Sequence, residues 1–504
     1  MAVEILLTLK QPYWLKTMLG VFALILVYSG YSAITNVQAE YLSTDLLIFF
    51  LVCCLIFFVA YIRKQPHLNE PWKKVFQNKI AMSSVVVLLF FVVVGLMDSI
   101  HFRKADSRLS SKDKPVYSVE MVSLLDVSLD YIRHNTETTY SSPLSLYSYA
   151  KENFVDENGV KYRDFPRLKY AGSHIEKPGQ QYWNDIIAKS LYSLFISSIL
   201  IALFLLLVLW RLKDKSNSLT GLFLKIIRNE LSLPWHIMIV TVMVLIILGS
   251  WLFYMSHYYH VMGTDKVGQD VFYLTLKSIR TGLVIGTLTT LIMLPFAIAL
   301  GVMAGYYKGV IDDIIQYIYT TLNSIPGILL IVAVMLAIDV YIENHSELFE
   351  TAIERADIKL LALCAVLGIT SWTGLCRLLR GEVFKLRELE YIQAARSLGV
   401  ANIKIITSHI IPNVMHIVLI VVVLDFSGLV LAEAILAYIG VGVDPSTISW
   451  GNMINSARLE LAREPVVWWS LISAFSFMFA LVLAANLFSD AIRDAFDPRM
   501  QGIK

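Results

Sequence analysis

Charge is scarce in this sequence. Only 16% of its 504 residues are Asp, Glu, Lys or Arg, against about 25% in an average soluble domain. The 42 basic and 40 acidic residues leave a formal net charge of +2, which gives no basic face for a nucleic acid. Four cysteines, Cys53, Cys54, Cys364 and Cys376, lie within or at the edges of apolar blocks and form no spaced metal set, so they read as small buried apolar residues. The ten histidines contain no HExxH and no i, i+4 pair within an apolar block. His257 and His260, at i, i+3 beside a membrane face, admit a metal, but interfacial positioning is the plainer reading. No GxSxG occurs, so an intramembrane enzyme lacks its catalytic constellation. No GxxxxGK[ST] occurs either, which excludes nucleotide binding by that loop.

Apolar residues are abundant: 57% of the chain, with a mean hydropathy of +0.63. They arrive in blocks of the length a helix needs to cross a bilayer. Spans are expected near 17–35, 45–62, 80–98, 187–210, 235–256, 280–304, 313–338, 358–378, 414–436 and 467–489. Backbone polar groups must be satisfied internally in lipid, so these are helices. Continuous runs such as Val85 to Val94 exclude the alternation of a membrane barrel. The first block is long and lacks a small-residue cleavage pattern, so it reads as a retained span. Trp235, Trp468 and Trp469 are expected as interfacial anchors.

Short loops set the expected orientation. Loop 63–79 carries Arg63, Lys64, Lys73, Lys74 and Lys79; loop 211–234 carries Arg211, Lys213, Lys215, Lys225 and Arg228. Loop 379–413 carries Arg380, Lys385, Arg387, Arg396 and Lys404, whereas loop 36–44 has no Lys or Arg. The excess of positive charge puts the first three loops and both termini in the cytoplasm. Segment 99–185 then lies outside, with Pro115, Pro143, Pro166 and Pro178, a Tyr-rich stretch and an amphipathic stretch from Val119 to Ile132. It is long enough for a small extracytoplasmic domain, near the lower limit for a core of its own.

The most informative loop runs from Tyr391, Ile392, Gln393, Ala394 and Ala395 through Gly399 to Pro412 and Asn413. Gly399 is placed to end a short helix, since glycine tolerates left-handed angles. Pro412 is placed to start a new helical direction. Taken alone, this is a surface helix, a turn and the start of a span.

The loop resembles the EAA loop of ABC-importer permeases, in which a short coupling helix docks on a cytoplasmic ATPase. Ala394, Ala395, Gly399 and Pro412 match that motif, and Gln393 stands where it usually has glutamate. Further stretches are similar to one branch, the dipeptide/oligopeptide (peptide/nickel) permeases, and to the second of their two paired subunits. They are Gly263-Thr264-Asp265 through Gly268-Gln269-Asp270, Gly305-Tyr306-Tyr307-Lys308-Gly309, Ile325-Pro326-Gly327, Glu433 through Val443, Ser449-Trp450-Gly451-Asn452 and Arg493-Asp494-Ala495-Phe496-Asp497-Pro498-Arg499.

The apolar blocks give an all-α integral membrane protein of about ten transmembrane helices; the resemblance covers just over half the chain and implies a six-helix importer core at 230–504, while the four N-terminal helices have no counterpart in the usual six-span subunit. Residues 1–98 would be an N-terminal membrane module of three spans, 99–185 a small extracytoplasmic domain, and 186–229 the fourth span with a cytoplasmic linker. The implied function is that of a permease subunit in the bacterial cytoplasmic (inner) membrane, importing peptides delivered by a binding protein. Its partners would be a homologous permease subunit, two cytoplasmic ATPase subunits, an extracytoplasmic peptide-binding protein and membrane lipid, with no nucleic acid. This chain would hold no cofactor, ATP and Mg being bound by the ATPases. Tyr391, Gln393, Ala394, Ala395, Gly399 and Pro412 would form the coupling loop, and Gly263, Asp265, Asp270, Trp450 and Gly451 the outer loops. Asp425, mid-span, and Glu433, near the outer end of the same span, are candidate path residues, with structural hydrogen bonding as the other reading. A non-transporting receptor with 99–185 as sensor is the competing reading.

Overall fold

The structure, a computed structural model, describes residues 37–62, 66–105, 117–155, 161–212, 233–345 and 351–496, together with 221, 225, 226, 228, 229, 231, 347 and 349. The expected first span and the end of the Arg493–Arg499 stretch, from Asp497, lie outside the described residues.

In chain order, strand β1 (Val37–Glu40) leads to helices α1 (Ser43–Ile62), α2 (Pro66–Gln77) and α3 (Lys79–Asp98). Strands β2 (His101–Ala105) and β3 (Tyr117–Ser123), short helices α4 (Leu124–Ser128) and α5 (Asp130–His134), and hairpin β4 (Glu152–Val155)/β5 (Lys161–Asp164) follow. Then come α6 (Pro178–Leu212), α7 (Trp235–Ser256), α8 (Val271–Tyr307), α9 (Val310–Ser324), α10 (Gly327–Asn344) and α11 (Ala352–Arg387). The chain continues through α12 (Glu390–Ser397), α13 (Asn402–Ile405), a π-helical turn (Ile406–Ile410), α14 (Ile411–Ile439), α15 (Trp450–Glu460) and α16 (Trp469–Phe496). Among the described residues, α3, α6, α7, α8, α10, α11, the run from α13 through α14, and α16 are long and apolar enough to cross a membrane. The apolar helix α1 occupies the second expected span.

The span expected at 313–338 is two helices. Ile325 is extended (φ −88°, ψ 130°) before Pro326, which ends α9 one residue earlier; proline disfavours helical angles in the residue before it. α9 carries Asp312 and Asp313 in its first turn, and the membrane-length helix is α10. The span expected at 414–436 also starts earlier. Helical structure begins at Asn402 and passes through the π turn to Pro412, which sits in the first turn of α14.

The segment 99–185 recruits a strand from elsewhere. β1 pairs antiparallel with β2, and β2 with β3, so the short loop 36–44 completes the sheet. The amphipathic stretch 119–132 is partly strand β3 and partly helices α4 and α5. Apolar residues of those helices, Leu125, Leu129 and Ile132, share one buried cluster with Val271, Phe272 and Ile279 of α8 and with Trp450 and Trp469. Trp469 is therefore no interfacial anchor: it is 1% exposed, and its Nε1 donates to the Thr264 carbonyl at 2.9 Å. Trp468 is exposed.

The centre of the bundle is the pair α8 and α11, which lie side by side along their length. Glycines permit the approach. A Cβ on Gly301 would stand 2.8 Å from the Cys376 carbonyl, and one on Gly305 2.8 Å from the Arg380 carbonyl. α3 packs against α7, α8 and α16, so a helix of the N-terminal module sits inside the bundle; α6 packs on α7 at its edge. Exposed leucines such as Leu191, Leu203 and Leu207 on α6 are what a lipid-facing surface requires.

Candidate functional site

Two sites occupy opposite ends of α8. At one end, the loop between α11 and α14 is short helix, glycine turn and π turn. Ile392 is buried, and with Ile405, Ile406 and Ile410 it joins Tyr306 of α8 and Leu379 and Val383 of α11 in one apolar cluster. Polar contacts fix the same seat. Tyr306 Oη donates to Asn402 Oδ1 at 2.8 Å, Arg387 donates to the Tyr306 carbonyl at 2.6 Å, and Arg380 grips Asp312 through two bonds of 2.5 and 2.8 Å. Lys308 meets Glu388 at 2.8 Å and, by hydrogen bond and charge, holds that carboxyl below its usual range.

The expected loop residues come together here. Gly399 takes φ +76° just past α12, and its φ, with nothing within 4 Å of a Cβ, makes glycine a matter of backbone angle and not of crowding. Gln393 Nε2 donates to the Glu388 carbonyl at 3.1 Å, a bond that a carboxylate in its place could not donate. Asn413 donates to Tyr391 Oη at 3.1 Å, which ties α12 to the start of α14. Ala394 is exposed and Ala395 half-buried. Leu398 and Ile403, which the motif does not single out, stand 83% and 67% exposed beside Gly399. The result is a helix anchored by one isoleucine, with Leu398 and Ile403 left uncovered among the described residues.

At the other end, the Gly263–Asp270 turn is covered by the chain itself. Glycine is required there: Gly263 (φ +73°) lies under the Ser141 carbonyl, 2.5 Å from a Cβ, and Gly268 (φ +76°) under the Glu137 carbonyl, 1.9 Å from one. Ser141 N donates to Thr264 Oγ1 at 2.6 Å and Glu137 N to the Gly268 carbonyl at 3.0 Å. Asp265 closes the turn by accepting from the Val267 and Gln269 amides, both at 2.9 Å. Asp270 caps α8 by accepting from Phe272 N at 2.8 Å and meets His260 Nδ1 at 2.6 Å. Burial alone would lower the His260 imidazole, but Asp270 and Glu137 outweigh it and push it up to about 9. Of the turn, Lys266, Val267 and Gln269 remain exposed.

Beside this turn, one face of α8 presents Tyr273, Lys277 and Arg280, spaced i, i+4, i+7. Lys277 Nζ donates to both oxygens of Asp126 at 2.6 and 2.7 Å and lies 3.7 Å from Asp98. Tyr273 Oη donates to Asp126 at 2.7 Å. Burial opposes ionisation of Asp126, but Lys277 and these hydrogen bonds hold its carboxyl down at about 2. Arg280 binds Asp45 at 2.6 Å and Thr44 Oγ1 at 2.8 Å; Thr44 in turn donates its N–H to Asp357 of α11 at 3.2 Å and its hydroxyl to the same carboxylate. The sequence hides this network, because the partners of Lys277 and Arg280 lie over 140 residues upstream. Its only signal is the helical spacing of Tyr273, Lys277 and Arg280, the latter two being basic residues at the start of a membrane-length helix.

Between these ends, Glu433 is buried: Ser449 Oγ donates to it at 2.9 Å, and a Cβ on Gly451 would stand 2.5 Å from its Oε1. Trp450, expected on an outer loop, is buried at the start of α15 with its Nε1 donating to the Thr275 carbonyl at 3.1 Å. Asp425, midway along α14, is half-buried. One helical turn on, Gly428 has nothing within 4 Å of a Cβ, so this face of α14 is open.

Comparison with known proteins agrees with this arrangement. A family model described as binding-protein-dependent transport system inner membrane component matches residues 297–502, which run from inside α8 through the loop between α11 and α14 to the C-terminal residues. The glutathione transport system permease protein of Pectobacterium atrosepticum is 31% identical over 242 residues, 48% of this chain and 73% of its own length. An oligopeptide transport system permease protein of Mycobacterium bovis is 29% identical over 49% of this chain and 78% of its own. A dipeptide transport system permease protein of Bacillus subtilis is 27% identical over 48% and 69%. With its membrane-length helices and a relative 31% identical over 73% of that relative's length, this chain is a multi-pass membrane protein that belongs to the family of binding-protein-dependent transport system inner membrane components.

Proposed function

We propose that this chain is a permease subunit of an ATP-driven, binding-protein-dependent importer of short peptides, and that α12 with Leu398 and Ile403 is the surface on which an ATPase pushes. The observation that carries the reading is the apolar tip of the loop 389–403, closed by Gly399 and seated on the ends of α8, α11 and α14. The peptide class is supported by the relatives, whose names specify glutathione, dipeptides and oligopeptides.

The positive charge of loops 63–79, 211–234 and 379–413 puts α12 in the cytoplasm and the sheet outside. A homologous permease pairs with this chain, two ATPases supply ATP and Mg chemistry, and a peptide-binding protein delivers solute from outside. ATP-driven approach of the ATPases moves α12, and the packed helices tilt as a rigid body so that the path changes sides. Asp425 faces that path or the partner subunit, since a carboxylate at mid-span is costly against lipid. Glu433 serves as packing beneath α15, tied to Ser449.

The test is purification from membranes with associated subunits, followed by ATP hydrolysis with and without peptide-loaded binding protein. Hydrolysis that rises on adding the loaded protein supports an importer. Purified chain that carries no ATPase, and hydrolysis indifferent to the loaded protein, would refute it.

A further inference from the structure

The ion network at the outer end of α8 joins parts of the chain that lie far apart in sequence. Asp45 and Asp98 come from the N-terminal module, Asp126 from segment 99–185, Lys277 and Arg280 from α8, and Asp357 from α11. All four carboxylates are buried, and a buried carboxylate deprived of its cation is strongly destabilising. Apolar packing between module and core is interrupted here by a cavity of about 520 Å³ lined by Met121, Asp126, Lys277, Arg280, Asp357 and Leu360 among others. Beside that cavity, the ion pairs add a polar connection to the apolar contacts that Leu125, Leu129 and Ile132 make with α8.

The other end of the same helix pair is joined to α12. Gly301 and Gly305 bring α8 against α11, Arg387 of α11 donates to the Tyr306 carbonyl of α8, and Tyr306 reaches Asn402. α8 and α11 thus form a strut with the coupling helix at one end and the module at the other. We propose that Lys277 and Arg280 are positioning residues that key the N-terminal module and segment 99–185 to this strut, so that segment 99–185, which covers the Gly263–Asp270 turn, moves with the coupling helix and relays the binding protein's presence to the ATPases. This rests on the importer reading.

The experiment is ATP hydrolysis by the complete reconstituted importer, with and without peptide-loaded binding protein. Lys277→Asp and Asp126→Lys, each alone, are expected to keep the basal rate and lose the stimulation; the two together restore it. A single variant stimulated as fully as wild type overturns the proposal, and so does a double swap no better than either single. Should the charge-reversed singles not assemble, Lys277→Gln and Asp126→Asn take their place with the same expected loss. A wild-type complex that shows no stimulation refutes the importer reading instead. The keying is then judged by hydrogen–deuterium exchange, where Lys277→Gln must speed exchange in β2, β3 and α4; unchanged exchange there overturns it.

Discussion

At Gly399 the backbone takes φ +76° in open space, so what a substitution disturbs is the angle alone. A left-handed residue with a Cβ costs about 1–2 kcal/mol, and Asn tolerates it better than most. Gly399→Asn should therefore retain most of the stimulated hydrolysis and Gly399→Val lose most of it, measured in the reconstituted complex; equal loss in both would mean that bulk at this surface matters, not the turn. His260 offers a prediction in pH. Its folded value, pushed up to about 9 by Asp270 and Glu137, exceeds the ordinary value near 6.5. Its stabilisation is thus fully present below about pH 6.5 and lost as pH rises through about 9, amounting to roughly 3 kcal/mol at 1.4 kcal/mol per unit. The thermal midpoint of wild type in detergent should exceed that of His260→Gln most below pH 6.5 and converge with it by pH 9. A gap that stays constant over this range would show that the imidazolium is not what stabilises the turn.

Among the elements, the α8–α11 pair depends on glycines placed where backbones meet. A methyl on Gly305 would press on the Arg380 carbonyl and Val383, and overpacking of this kind costs about 1–3 kcal/mol. Gly305→Ala should lower the thermal midpoint, whereas Gly381→Ala on α11, with nothing within 4 Å, should raise it or leave it unchanged. Helix identity was legible in the sequence wherever about twenty apolar residues ran together, because lipid leaves the backbone no alternative. The limits were local. The expected span 313–338 ran across Pro326 because hydropathy ignores the angle that proline imposes on Ile325. Trp469 was read as interfacial because composition does not say that the Thr264 carbonyl waits for its indole N–H. The strand Val37–Glu40 could not be foreseen, since its pairing partner lies some 60 residues on, past three helices.

For the whole molecule, the motif in the coupling loop was legible because glycine, proline and small residues stand at positions the backbone dictates. The attachment of the N-terminal module was not, because ion pairs across hundreds of residues leave no mark in local sequence. The module is built in: α3 lies among α7, α8 and α16, and its carboxylates close on α8. Everything in the functional account still turns on α12 meeting an ATPase. Single cysteines at Leu398, which is exposed, and at Ile392, which is buried, should be compared for crosslinking to the ATPase in native membranes. The account predicts a crosslinked species from Leu398→Cys and none from Ile392→Cys. No crosslink from Leu398→Cys, Ala394→Cys or Ile403→Cys, with the subunits shown to be assembled, would contradict it.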